Sequence, residues 1–114
     1  MDDCIFCKII KREIPSTVVY EDEKVLAFKD ISPVAPVHVL IIPKIHIENV
    51  MELDEQNVDV LKEIHLAAKK IAIKTGLGEK GFRLITNCGK EAGQTVFHLH
   101  YHLIGGKELG EKLI

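Results

Sequence analysis

The segment from Phe97 to Leu103 alternates between apolar residues and histidines, and it constrains the fold more than any other part of the chain. Side chains of a β-strand point to its two faces in turn, so the pattern predicts a strand over Val96–Ile104 with three histidines on one face. These are His98, His100 and His102. The other face, which suits a hydrophobic core, would carry Phe97, Leu99, Tyr101 and Leu103. Three imidazoles are costly to bury without partners, which favours a functional face over a solvated one that happens to be rich in histidine.

A single metal ion is a poor explanation for all three histidines. His98 and His102 would lie about 13 Å apart along a strand, whereas Zn–N bonds are about 2.0 Å long. We therefore expect the three side chains to divide their roles between two sites. A neutral imidazole is a competent nucleophile or general base near pH 7, because its unperturbed pKa is about 6.5.

Four further strands are predicted from short β-branched or apolar runs, at residues 17–20, 25–28, 37–42 and 82–86. The run at 37–42 is almost continuously apolar, which is typical of a central strand buried on both faces. Short turns between consecutive strands indicate an antiparallel five-stranded meander with helices packed against it. The predicted fold class is therefore α+β.

Two helices accompany these strands. A short N-terminal helix is predicted at 4–11 from its apolar spacing. A long amphipathic helix follows Asp54, the expected N-cap, and reaches about Thr75. Gly76 fits the left-handed position just past its end.

Length and charge exclude several classes of protein. The chain has 114 residues, so we predict one domain over 1–114 with residues 107–114 as a short tail. A net charge of -2 lacks the basic field that non-specific nucleic-acid binding requires. The longest aliphatic run, Val39–Ile42, is far shorter than the roughly 20 residues of a membrane span. The acidic start does not resemble a signal peptide, so we expect a cytoplasmic protein that binds neither membranes nor nucleic acids.

Cys4 and Cys7 form a CxxC pair at the start of the predicted short helix, a spacing typical of zinc sites. A redox pair is less favoured, because a redox CxxC follows a strand in a βαβ unit. A third interpretation is that the two cysteines are small apolar residues of the helix. The spacing alone does not identify the other two ligands of a tetrahedral zinc.

The run from Gly93 to Gly106 resembles the signature of the histidine triad family. The runs Cys4–Ile10, Ala27–His38 and Ile42–His46 agree with the same family, so the resemblance covers nearly the whole chain. The chain looks most like the Hint branch, which consists of nucleoside phosphoramidate hydrolases. The resemblance implies a HIT-like fold and a homodimer that joins two sheets through the long helix and the fourth strand.

The resemblance also implies a mechanism. His100 would attack the α-phosphorus of a purine nucleoside 5′-phosphoramidate, such as adenosine 5′-phosphoramidate, to form a nucleotidyl-histidine intermediate. Water would then release the nucleoside monophosphate. His102 would contact the phosphate or the leaving group, and His38 would support the triad by hydrogen bonding or, alternatively, be a satisfied core histidine. This chemistry requires no cofactor.

Residues of the substrate site follow from the same resemblance. The phosphate site would be lined by Asn87, Gly93, Gln94 and the hydroxyl of Thr95. Thr95 would also belong to the catalytic residues. The nucleoside would be held at the ribose by Asp30 and at the base by Ile5, Phe6, Ile9, Phe28 and Ile31. Other interpretations stay open, since Asn87 and Asp30 also suit turns and the five apolar residues also suit a core.

For the metal, the resemblance implies a structural zinc on Cys4, Cys7, His46 and His98, which would fix the N-terminal helix to the triad strand. His65 and Cys88 receive no role. Two rival functions remain: a dinucleoside polyphosphate hydrolase, and a nucleotide- or zinc-binding interaction module without turnover.

Overall fold

A computed structural model describes residues 3–113, so three terminal residues of the predicted domain 1–114 lie outside the described part. The helices are α1 (Ile5–Ile10), α2 (Asp59–Thr75) and α3 (Leu77–Lys80). The strands are β1 (Val18–Glu21), β2 (Val25–Lys29), β3 (Val37–Pro43), β4 (Phe82–Thr86) and β5 (Tyr101–Gly105). These helices and strands confirm the predicted α+β class.

The five strands form one antiparallel sheet in the order β1-β2-β3-β5-β4. Strands β1 to β3 form the predicted meander. The chain then crosses over through α2, and β5 rather than β4 comes to lie beside β3. β5 is the more buried of the last two strands, so it takes the inner position and leaves the half-buried β4 at the edge.

Both faces of the central strands are covered. On one face α2 packs Ile64 and Ile71 against alternate sheet residues such as Ile41 and Leu103. On the opposite face α1 packs against the sheet through the side chains of Phe6, Ile9, Leu26, Phe28, Leu40 and Ile42. Burial on two faces explains why β2 and β3 are continuously apolar, as the sequence indicated for β3.

The last strand is shorter than predicted. It begins at Tyr101 instead of Val96, and Phe97 is 47% exposed instead of belonging to the core. The preceding residues leave the ladder because the Leu99 amide donates to the Ile47 carbonyl (2.6 Å), in the connection after β3. The alternation of faces still holds from His98 to Leu103, since Leu99 and Leu103 are in the α2-side core.

The start of the long helix also differs from the prediction. Asp54 accepts hydrogen bonds from the amides of Gln56 and Asn57, so it caps a preceding turn and not α2. α2 begins five residues later, at Asp59, without a side-chain cap. Its predicted end is confirmed, because Gly76 has a φ of 79° and donates to the last helical carbonyls.

Within residues 3–113, none of the helices combines the length and apolar character that crossing a membrane would demand.

Candidate active site

His98 lies between two sites and is fully buried. Its Nε2–H donates to the Pro43 carbonyl (2.8 Å), which can only accept, so the lone pair is on Nδ1. That nitrogen lies 3.5 Å from the Cys4 sulfur and 3.6 Å from the Cys7 sulfur. His46 Nδ1 lies 3.3 Å from the Cys7 sulfur. The cysteine pair and these two histidines, which are far apart in sequence, therefore meet at one point.

The four residues fit a zinc ion. Their ligand atoms all lie within 4.8 Å of one another. A tetrahedral zinc with Zn–S bonds near 2.3 Å and Zn–N bonds near 2.0 Å places sulfur and nitrogen about 3.5 Å apart, close to the separations found here. Burial, with the neighbouring His46 and His100, lowers the pKa of His98 to about 4, so its imidazole is neutral at pH 7. The Pro43 carbonyl supplies the outer hydrogen bond that metal-binding histidines usually make.

Burial acts on the Cys7 thiol in the opposite direction, since it raises the pKa of this group and lowers that of His98. Burial and the neighbouring Cys4 raise the pKa of the Cys7 thiol to about 11. A bound cation reverses this preference because it binds the thiolate.

His100 has its ring orientation fixed by main-chain atoms. Its Nδ1–H donates to the His98 carbonyl (2.7 Å), so the lone pair is on Nε2. The Thr86 hydroxyl donates to the His100 carbonyl (2.8 Å) and holds the residue from the neighbouring strand. His100 is only 7% exposed. The group that fixes this ring is therefore a main-chain carbonyl two residues before it.

A second chain of hydrogen bonds fixes His102. The Val34 amide donates to His38 Nδ1 (3.1 Å), so His38 carries its proton on Nε2. That N–H donates to His102 Nδ1 (2.9 Å), which leaves the His102 proton on Nε2. Burial and the nearby His100 and His38 lower the pKa of His102, whereas Asp30 opposes this shift. His102 is therefore a neutral imidazole that presents an N–H donor beside the His100 ring, 5.3 Å away between centroids.

Asp30, His38 and His102 also lie close enough together to suggest a second metal site. The Val34 amide argues against it. Because His38 uses its Nδ1 lone pair to accept that hydrogen bond, Nε2 holds the proton and has no lone pair for a cation. This group is better described as a hydrogen-bonded chain, with Asp30 Oδ2 3.3 Å from His38 Nε2.

Helix α1 connects the cysteines with the histidine rings. The Cys4 sulfur accepts a hydrogen bond from the Cys7 amide (3.3 Å) and so caps the helix. Phe6 lies edge-on to His100, with ring centroids 5.1 Å apart, and also contacts His98 and Phe28. The two cysteines that would hold zinc thus lie at the start of the same short helix that supplies Phe6, a wall of the histidine site.

The loop that follows β4, here called the 87–95 loop, leads into the histidine segment. Gly89 and Gly93 adopt φ values of 89° and 86°, which suit glycine, on either side of a 3₁₀ turn over Lys90–Ala92. Thr95 is exposed and lines a cavity of about 560 Å³ together with Ile5 and His46. Asn87 is half-buried directly after β4. Gln94 is instead buried, and its side-chain amide is hydrogen-bonded within the protein.

The predicted nucleoside residues separate into two groups. Phe6, Ile9 and Phe28 pack together in the α1-side core, whereas Ile5 is 45% exposed at the cavity. Ile31 is 98% exposed on the loop after β2. Asp30 Oδ1 accepts a hydrogen bond from the Ser32 amide. Asp30 therefore does form a turn, which was the alternative to a role at the ribose.

Several functional contacts had no counterpart in the sequence analysis. The Pro43 and His98 carbonyls and the Val34 amide set three ring tautomers. Every residue carries these main-chain groups, so no sequence signal identifies them. Thr86, the last residue of β4, was recognised only as part of a strand. His65 lies on α2 and contacts Tyr101, and Cys88 lies in the 87–95 loop outside the cysteine-histidine cluster; both remain unassigned.

Comparisons with known proteins agree on one family. The sequence model of the HIT domain matches residues 11–109. The purine nucleoside phosphoramidase of Escherichia coli K12 is 48% identical over 112 residues, 98% of this chain and 94% of that protein. The 14 kDa zinc-binding protein of Brassica juncea is 50% identical over 109 residues, 94% of this chain and 96% of that protein. A HIT family hydrolase of known structure from Clostridium thermocellum superposes with a TM-score of 0.98 at 64% identity, covering 100% of this chain and 99% of that one.

Proposed function

Because this chain belongs to the HIT domain family, we propose that it hydrolyses purine nucleoside 5′-phosphoramidates through a covalent intermediate on His100. The similarity to the purine nucleoside phosphoramidase of E. coli supports the substrate class. One observation carries the mechanism. The His98 carbonyl fixes the His100 tautomer, so that a lone pair on Nε2 lies beside the N–H donor of His102.

In the first step His100 Nε2 attacks the α-phosphorus and a new P–N bond forms. The P–N bond to the substrate amine breaks, and its electron pair leaves on the amine nitrogen. His102 Nε2–H donates the proton that this nitrogen needs. The reaction thereby replaces one difficult displacement with two easier ones.

In the second step water attacks the phosphorus of the nucleotidyl-histidine, and the P–N bond to His100 breaks. The nucleoside monophosphate is released and His100 recovers its lone pair. A proton of the attacking water returns to His102 Nε2 and replaces the one given to the amine. Asn87 and Thr95 bind the phosphate oxygens in this proposal. The Gly93 amide already donates to the Lys90 carbonyl (3.0 Å), so Gly93 shapes the loop and supplies no donor. Donors in the 87–95 loop that are aimed at the developing charge stabilise such a transition state.

The nucleoside lies on the α1 side of the sheet. Asp30 binds the ribose and Ile5, Phe6, Ile9, Phe28 and Ile31 surround the base. The aromatic pair supports this arrangement, because Phe6 and Phe28 pack edge-to-face next to His100.

The proposal includes a structural zinc ion held by Cys4, Cys7, His46 and His98. The ligand geometry and the similarity to the Brassica juncea zinc-binding protein support it. Zinc at this closed site would fix α1 against the histidine segment and would take no part in the reaction. Two reduced thiols also fit the proposed cytoplasmic location, since that compartment keeps cysteines reduced.

A substrate panel tests the reaction. With equal concentrations of adenosine 5′-phosphoramidate and diadenosine polyphosphates, we expect kcat/KM to be at least about a hundredfold higher for the phosphoramidate. The proposed site assists an amine leaving group through a single N–H donor, His102. Mass spectrometry of the products measures the outcome. Preferential cleavage of the dinucleotides would favour the rival hydrolase, and no turnover of any substrate would favour a binding module.

Two copies of the chain associate through α2 and β4 in this proposal. Leu66 and Ile73 of α2 and Phe82 of β4 are 49%, 67% and 40% exposed. β4 is an edge strand of the sheet. Its outer hydrogen-bonding groups face no other strand of the described sheet. Apolar residues beside an edge strand are typical of an interface.

We expect the protein to have the mass of two chains in solution and the Ile73→Asp variant to have the mass of one. A buried aspartate at the interface would lose its hydration without gaining a partner. Size-exclusion chromatography with light scattering measures both masses. Met51→Asp is the matched control, because Met51 is 79% exposed away from α2 and β4. A wild type of single-chain mass, or equal dissociation of both variants, contradicts the proposed interface.

A further inference from the structure

The side chain of Gln94 makes as many hydrogen bonds as an amide can make. Its Oε1 accepts from the Gly89 amide (2.8 Å) and from Asn49 Nδ2 (3.3 Å). Its Nε2 donates to the Glu48 carbonyl (2.7 Å) and to the Val96 carbonyl (3.1 Å). A primary amide offers two donors and two acceptor sites, and all four are used here. With 4% of its surface exposed, Gln94 has no remaining capacity to bind a substrate phosphate.

These contacts close the 87–95 loop. The Gln94 main-chain amide donates to the Gly89 carbonyl (3.1 Å), while the Gly89 amide donates to the Gln94 side chain. Gly89 and Gln94 thus exchange two hydrogen bonds across the 3₁₀ turn. The residues on either side, Asn87 and Thr95, receive their positions from this closure.

Two of the side-chain contacts of Gln94 reach the 46–49 segment, which contains the proposed metal ligand His46. Glu48 and Asn49 bind the Gln94 side chain, and the Ile47 carbonyl accepts from Leu99, the residue between His98 and His100. The segment is therefore attached on one side to the loop and on the other to the histidine segment. A shift of His46 would therefore move both the 87–95 loop and the histidine segment.

From these contacts we infer that Gln94 is a positioning residue that couples the metal site to the phosphate site through the 46–49 segment. The inference rests on the proposed function for the identity of the two sites. A metal ion at the cysteine-histidine cluster would fix His46 and with it the 46–49 segment. That segment fixes the Gln94 side chain, and Gln94 fixes the 87–95 loop, which binds the phosphate in the proposal. Coupling of this kind is reciprocal, so nucleotide bound at the loop also slows release of the metal.

The experiment compares the wild type with Gln94→Ala and Gln94→Glu. Glutamate has the same shape, but it replaces the Nε2 donor with an oxygen that faces two carbonyls. Gln56→Glu is the matched control, since Gln56 is the only other glutamine and is exposed. Hydrogen exchange read by mass spectrometry reports the loop and the segment directly, and a chromogenic chelator reports the rate of zinc release.

For both Gln94 variants we expect amide exchange to rise about tenfold in peptides that cover residues 46–49 and 87–95, with no change in α2. Zinc release should accelerate about tenfold although all four ligands are intact. Adenosine monophosphate should slow zinc release at least threefold in the wild type and have no such effect in the variants. kcat should fall more than KM rises, and Gln56→Glu should behave as the wild type does.

A direct phosphate ligand would give a different result. Exchange and zinc release would then match the wild type, and only the affinity for adenosine monophosphate would fall; this outcome overturns the inference. The exchange and zinc measurements do not require turnover, so a failure of the proposed reaction is distinguishable from a failure of the coupling. If Gln94→Ala does not fold, Asn49→Asp tests the same link, because it keeps the Oδ1 cap on Met51 and removes the donor to Gln94.

Discussion

Replacing His100 by alanine is expected to lower kcat by at least about a thousandfold, the scale on which loss of a covalent nucleophile acts. The variant lacks the Nε2 atom that forms the phosphorus–nitrogen bond of the intermediate in the proposed mechanism. Substrate affinity should change little, because the phosphate and ribose contacts remain. Initial rates with adenosine 5′-phosphoramidate measure the loss, and rapid quenching followed by intact-protein mass spectrometry should detect a nucleotidyl adduct only in the wild type.

His102→Ala provides the comparison within the same segment. This variant keeps the nucleophile and loses the N–H donor, so its defect should depend on the leaving group. It should be large for an amine, which needs a proton, and small for an aryl phosphate ester, whose leaving group departs as an anion. Equal rates for His100→Ala and the wild type, or an adduct on a residue other than His100, would show the covalent assignment to be wrong.

The second large effect concerns the proposed zinc ion. Cys7→Ser should lose the metal and lower the midpoint of thermal unfolding by about 10 °C or more, since an ion that binds only the folded state stabilises it by several kcal/mol. α1 carries only Phe6 and Ile9 as buried residues, so without the metal it has little else to hold it against the sheet. Differential scanning fluorimetry measures the midpoint, and elemental analysis measures the zinc content.

The third cysteine is the control for this experiment. Cys88 is half-buried like Cys7 but lies outside the cluster, so Cys88→Ser should keep both the zinc and the unfolding midpoint. Removing zinc from the wild type with a chelator should reproduce the Cys7→Ser midpoint. Well under one zinc per chain in protein never exposed to chelator, or equal midpoints for the two serine variants, would contradict a structural metal.

The sequence predicted the division of the histidines because alternation along a strand is a local property. His98, His100 and His102 share the face that meets Phe6, and Leu99 and Leu103 share the face that meets α2. The extent of the strand was not predictable in the same way. The Leu99 amide donates to the Ile47 carbonyl instead of to a neighbouring strand. Ile47 is about fifty residues away in the chain, so local sequence does not indicate this contact.

The central position of β5 could not be predicted from local sequence patterns either. It depends on whether β4 or β5 pairs with β3 after the chain crosses over through α2. The function of Gln94 shows a further limit. Its sequence neighbours suggest a phosphate ligand, yet its four hydrogen bonds go to Gly89, Glu48, Asn49 and Val96. Only the arrangement of these four partners in space reveals that the amide is already saturated.

His98 contributes to the two sites through different parts of the same residue. Its imidazole faces the cysteines, whereas its main-chain carbonyl holds the His100 ring. Every amino acid supplies that carbonyl, so the orientation of the nucleophile does not depend on which side chain occupies position 98. A lineage can therefore discard the metal ligands by mutation and compensate the lost stability elsewhere in the core, with the reacting atom left in place. Loss of the proposed metal would therefore leave the orientation of the His100 ring in place, and it would affect the reaction only through the 46–49 segment and the 87–95 loop.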